Sequence, residues 1–138
     1  MSRIVAAALA FLLFGYAHAL AQQATLPTIT PPYKVTPLVP PTPVTGQPDK
    51  MFVMIAVEFP PGVGTPRHTH FGDEFGRVME GEIVTRQGEG EWKTVKAGDS
   101  YTALGGVMHE TKNIGTVPAK TVNAFVVEKG RPIVNPVK

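Results

Sequence analysis

From Met51 onward the chain reads as short extended runs cut by turn residues, and that rhythm leaves few folds open. "MFVMIAVEF" (Met51 to Phe59) is a continuous apolar run, rich in β-branched and aromatic residues and long enough for a buried strand. "PPGVGTP" then breaks it. "FGRVMEGEIVTR" and "EWKTVKAG" follow as strands around the polar turn "QGEGE". "SYTAL", "VMHETKN" and "AKTVNAFVVEK" complete a series punctuated by Gly, Asn or Pro, and no stretch carries a helical stripe. Closely spaced strands without helices predict an all-β sandwich or barrel.

Size and chemistry narrow this further. With 138 residues the chain suits a single domain with one sizeable core, and 43% hydrophobic content excludes wholesale disorder. The formal charge is only +2 and has no basic run, so nucleic acid is not an expected partner. Cysteine is absent, which rules out disulfides, thiolate metal ligands and thiol catalysis. Any metal must be held by nitrogen and oxygen.

Two segments precede the strand series. Residues 1–21 combine Arg3, an apolar run from Ile4 to about Tyr16, and small residues at Ala17, Ala19 and Ala21, the pattern of a cleavable secretory signal peptide. The apolar run falls short of the ~20 residues that span a bilayer, so no stable membrane anchor is expected. The expected location is the periplasm or the exterior. Residues 22–50 carry prolines at 27, 31, 32, 37, 40, 41, 43 and 48. Proline lacks the donor that sheet interiors need, so this stretch is expected to be an extended spacer arm, with 51–138 as the folded domain. The alternative is that Val35, Leu38 and Val39 dock along a sheet edge, of this subunit or of a partner in a homodimer.

Once His18 leaves with the signal segment, three histidines remain: His68, His70 and His109. Residues i and i+2 of a strand share a face, so His68 and His70 project together. Glu74 can return to that face after the turn at "FGD". The spacing Gly62-x5-His68-x-His70-x3-Glu74-x6-Gly81 reproduces the first motif of the cupin superfamily without a mismatch. Gly98-x5-Leu104-x-Gly106-x2-His109-x3-Asn113 resembles its second motif, with Leu104 where proline is usual.

That resemblance implies a cupin double-stranded β-helix, a jelly-roll barrel that brings His109 to the other two histidines. It implies one divalent transition metal on His68, His70, Glu74 and His109. Imidazole with carboxylate suits Fe, Mn, Ni, Cu or Zn, and the lack of thiolate argues against a closed structural zinc site. The likeness to quercetinase-like cupins implies a non-haem metal dioxygenase acting on a small organic substrate, with Glu74 also placed to accept a substrate proton. Isomerisation and decarboxylation are related chemistries. A non-catalytic module that binds metal or a small molecule is the alternative, and a third is a metal that only braces the barrel.

Alternation from Glu74 puts Gly76 and Val78 inward and Phe75, Arg77 and Met79 outward. An inward Gly76 either leaves room for a ligand or permits tight packing. Val107 and Thr111 should share the face of His109. Arg67 points away from the ligands and is expected at the surface. Trp92, Tyr101 and Phe125 are expected in the core or an interface. The four motif glycines fit turns that need positive φ.

Overall fold

Alternate residues of the Met51 run face different surroundings: Met51, Val53, Ile55, Val57 and Phe59 are buried, while Phe52, Met54, Ala56 and Glu58 are half-buried. The computed structural model describes residues 32–137. In chain order the strands are β1 (Lys34–Val44), β2 (Gln47–Phe59), β3 (His68–Thr69), β4 (Gly72–Glu80) and β5 (Glu82–Gln87). They continue as β6 (Lys93–Lys96), β7 (Ser100–Ala103), β8 (His109–Lys112), β9 (Ala119–Glu128) and β10 (Asn135–Pro136). No helix occurs among the described residues.

The strands form two five-stranded sheets, ordered β1-β2-β9-β4-β7 and β10-β3-β8-β5-β6. All pairings are antiparallel. This is the all-β, double-stranded β-helix expected of the sequence. The core between the sheets holds the inward side of β2 together with Val78, Ile83, Val95, Phe125, Val127 and Ile133. Asn113, the last residue of the second motif, is fully buried. Its side-chain amide donates to the carbonyls of Phe59 and Val117, and its oxygen accepts from the Gly115 amide. It ties the loop after β8 to the end of β2, with both amide hydrogens and the oxygen of a buried side chain engaged. Gly81 turns the chain from β4 into β5 at φ 72°, a conformation that L side chains rarely adopt.

The spacer reading of residues 22–50 requires correction where the structure describes them. Lys34–Val44 is an eleven-residue strand, and Gln47 to Lys50 opens β2. Strand β1 lies at the sheet edge, where a missing N–H need not break a ladder. Its register with β2 shifts between Pro37 and Val39, between Val39 and Thr42, and again after Pro43, so irregularities absorb the prolines. Tyr33, just ahead of it, is buried with its ring 5.3 Å from that of Phe59. The folded domain thus begins before Met51. The signal peptide and the first part of the arm lie outside the described residues. Trp92 is also not in the core: it is exposed, with the Arg86 guanidinium 4.8 Å from its ring centre.

Tyr33→Ala should therefore destabilise the domain by about 3 kcal/mol, the usual scale for truncating a buried aromatic. For a domain of this size the melting temperature should fall by about 10–20 °C. Thermal unfolding followed by circular dichroism checks it, and an unchanged melting curve would return residues 33–44 to the role of a spacer.

Candidate metal centre

Strand pairing assembles the site from both sheets. His68 on β3 sits opposite His109 on β8. His70 lies in the bend between β3 and β4, and Glu74 is held on β4 with Phe125 of β9 on one side and Ala103 of β7 on the other. All four side chains are buried. The ring centres of His68 and His109 are 4.2 Å apart, those of His70 and His109 4.8 Å, and those of His68 and His70 4.9 Å. One nitrogen from each of the three rings falls within 4.8 Å of the others, so the cluster could hold a metal ion.

Each imidazole is oriented by the main chain. Nδ1 of His68 lies 2.8 Å from the Pro66 carbonyl, that of His70 2.5 Å from Ile133, and that of His109 3.0 Å from Val107. A carbonyl oxygen accepts only, so Nδ1 carries the proton and Nε2 is left with a lone pair. This is the arrangement by which outer partners aim histidines at a metal.

Glu74 lies against two of these rings. Its Oε2 is 3.1 Å from Nε2 of His70 and 3.2 Å from Nε2 of His109. The His109 approach lacks hydrogen-bond alignment, which leaves that buried nitrogen without a partner. Two donors ~2.1 Å from one ion at tetrahedral or right angles would lie ~3.0–3.4 Å apart, the separations found here. Lone pairs facing lone pairs in a buried site are repulsive until a proton or a metal lies between them.

The titration behaviour agrees. Burial, followed by the neighbouring His109, pulls His68 down to about 4. Burial would raise the Glu74 carboxyl, but the adjoining His109 and His70 outweigh it and hold it at about 2. Burial opposes charge on His109 too, yet Glu74 and the Val107 carbonyl lift it above its ordinary value. The carboxylate is therefore anionic at any neutral pH.

A cavity of about 50 Å³ adjoins the cluster, lined by His68, His70, Glu74 and His109 with mainly apolar neighbours. Val78 is buried and Phe75, Arg77 and Met79 are exposed, as alternation requires. Thr111 is buried and Val107 half-buried, and Thr111, like His109, lines the cavity. Gly76 proves to be a packing device. It pairs with Tyr101 on one side and Asn123 on the other. The Tyr101 hydroxyl donates to Asn123 Oδ1 at 3.0 Å, and a Cβ on Gly76 would fall inside the Tyr101 ring. Arg67 is committed to Glu89 at 2.7 Å and Glu110 at 3.2 Å, as a surface residue.

Three contributors escaped sequence reading: Tyr33 in the cavity wall, the Asn123 acceptor, and the Ile133 carbonyl that orients His70. Inward parity on the last long strand would have found Asn123. Nothing local marks the other two.

A sequence profile described as "Cupin domain" matches residues 55–131. The chain belongs to the cupin family. Among curated proteins it is 34% identical over 80 residues to the HTH-type transcriptional regulator PuuR of Escherichia coli K12, covering 57% of this chain and 43% of that one. It is 32% identical over 77 residues to Germin-like protein 5-1 of Oryza sativa subsp. japonica, covering 52% and 35%. The chain thus spans less than half the length of the curated relatives it matches. Among solved structures an oxalate oxidase superposes with a TM-score of 0.60 at 26% identity, over 83% of this chain and 60% of that one. A double-stranded β-helix protein from Klebsiella pneumoniae gives 0.62 at 23%, over 82% and 91%, which speaks for the fold alone.

Gly76→Ala should destabilise this cupin by about 1–3 kcal/mol through overpacking against Tyr101. The same change on a Tyr101→Ala background should cost at least about 1 kcal/mol less, because the ring it would strike is gone. Urea unfolding of the four proteins measures the coupling. Strict additivity would refute the packing role.

Proposed function

We propose that this cupin is an exported, metal-dependent oxidoreductase of a small organic acid, holding one divalent transition metal on His68, His70, Glu74 and His109. The observation that carries the reading is the buried cluster of three imidazoles, each fixed by a main-chain carbonyl, with Glu74 against two of them. When bound, such an ion supplies Lewis acidity and, if it is redox-active, electron transfer to substrate or dioxygen. Export rests on the pattern of residues 1–21.

Cavity size and charge select the substrate class. About 50 Å³ admits a few waters or a ligand of a few heavy atoms. So confined a cavity favours small substrates over the three-ring flavonols of quercetinase-like cupins. Among the described residues no arginine or lysine lines the cavity. A divalent ion with three neutral imidazoles and one carboxylate keeps a single positive charge, which a monoanionic carboxylate would neutralise. The neighbouring oxalate oxidase, which has also been solved with the substrate analogue glycolate, supports small acids as first candidates. In this role the histidines position the ion and the apolar wall excludes bulk water. The likeness to a transcriptional regulator favours one other reading, a module that binds metal or small ligand without turnover.

Protein isolated from its native compartment should contain about one transition-metal ion per chain, and His68→Ala or His109→Ala should remove most of it. Affinity should weaken as pH falls from about 8 to about 5.5, because metal must displace the proton on His109, whose raised pKa brings that competition in early. Calorimetry in buffers of different ionisation enthalpy should register proton release that grows toward the acid side. Full occupancy in both variants, or a pH-independent affinity, would dismantle the ligand assignment.

Glu74→Gln distinguishes ligand from proton acceptor. A carboxylate at about 2 is a weak base, so its expected part is to hold the metal. Metal affinity should drop, while dioxygen uptake with glycolate or oxalate per bound metal stays near that of the unmodified protein. A ~10²–10⁴-fold fall at equal loading would instead give Glu74 the proton.

A further inference from the structure

Among the described residues three buried side-chain polar atoms have no hydrogen-bond partner: Tyr33 Oη, His109 Nε2 and Thr121 Oγ1. Thr121 stands apart from the cavity, whereas Tyr33 and His109 both line it. The His109 nitrogen belongs to the candidate metal centre. The Tyr33 hydroxyl has no role in that centre and none in the fold.

Packing accounts for a ring at residue 33 and leaves its oxygen unexplained. Tyr33 is 5% exposed, and its ring centre lies 5.3 Å from that of Phe59. Phenylalanine would make the same contact without burying a partnerless hydroxyl, which is destabilising. The other polar groups of the wall are taken. Thr65 Oγ1 accepts from the Thr111 amide at 3.0 Å, and Thr111 Oγ1 donates to Thr85 Oγ1 at 3.3 Å. The Tyr101 hydroxyl and the Asn123 oxygen are engaged with each other at 3.0 Å. An uncommitted hydroxyl in the wall of a confined, mainly apolar cavity is the kind of group that orients a ligand.

Its chemistry selects the ligand group. Burial lifts the Tyr33 pKa above its ordinary value, so the phenol keeps its proton at neutral pH and can donate. An ionised carboxylate only accepts, and is the complement of such a donor.

We propose that Tyr33 is a ligand-binding residue, its hydroxyl donating a hydrogen bond to the carboxylate of a small acid held in the cavity beside the metal centre. The identity of the acid rests on the small-acid reading above; the case for the hydroxyl rests on its burial and its missing partner. The segment leading into the edge strand β1 thereby takes part in the site.

Tyr33→Phe tests this, since it removes the oxygen and keeps the ring. On full-length, metal-loaded protein, calorimetry gives the affinity for glycolate and oxalate, elemental analysis the metal per chain, and urea unfolding the stability. The variant should keep its metal, and its unfolding midpoint should be unchanged or higher, because a group without a partner has gone. Its dissociation constant for glycolate or oxalate should rise about tenfold to hundredfold, the scale of one hydrogen bond to a charged group. Unmodified protein that binds neither acid would overturn the small-acid reading and this inference with it. Equal binding by the unmodified protein and Tyr33→Phe would overturn this inference alone. A lower unfolding midpoint or a lower metal content in Tyr33→Phe would also overturn it, by assigning the hydroxyl to the fold or to the metal.

Discussion

The antiparallel register between β2 and β9, unbroken from Lys50–Glu128 to Phe59–Ala119, holds a whole sheet in one phase. A slip of a single residue would exchange every inward side chain for an outward one. With β9 fixed, its pairing with β4 places Glu74 opposite Phe125 and facing inward. The inward placement of Glu74 in the candidate metal centre is thus a consequence of this register. Bulges and shifts are confined to β1 and to the Val78–Glu80 end of β4, away from Glu74.

Within that frame the site depends on main-chain carbonyls more than on side-chain partners. Pro66 and Val107 lie two residues before the histidines they orient, so short local geometry fixes His68 and His109. His70 is different. Its partner is Ile133, sixty-three residues on, in the segment that leads to β10. Pairing of β10 with β3 brings that carbonyl in, and the fully buried Ile133 side chain anchors it in the core. The C-terminal segment therefore belongs to the site although it contributes no donor atom to the cluster. Burial makes each uncompensated lone pair expensive, so the cluster could hold a cation.

Most of this fold was legible because period-two alternation is a local property. The strands containing Met51, Ser100, His109 and Ala119 fall where their patterns place them, and the three histidines converge as the cupin motifs imply. The unread parts share a physical cause. Strand β1 has prolines at 37, 40, 41 and 43, which argue against a strand interior; only its place at the sheet edge makes them tolerable, and edge position is a tertiary fact. Tyr33 has no amphipathic partner in sequence, and its burial comes from Phe59. Two-residue strands such as β10 carry no periodicity to detect. At Gly76 the sequence left room for ligand and tight packing equally open, because the answer lay with Tyr101, on a strand that pairs with β4 only in the folded sheet.

One strand ties the two faces together. Along β4 the side chains alternate between Glu74, Gly76 and Val78 inside and Asp73, Phe75 and Arg77 outside. Its backbone is bonded on both flanks, to β7 and β9, so the peptide planes between those residues cannot rotate freely. Whatever stiffens the outer face also stiffens the carriage of Glu74. Yet the side chains themselves never meet, since neighbouring residues of a strand point to opposite faces. Outer-face changes can therefore leave the donor set intact, and changes to the donors can leave the outer surface its shape. Alternation lets one strand of nine residues line the buried cluster on one side and cover the outer surface on the other.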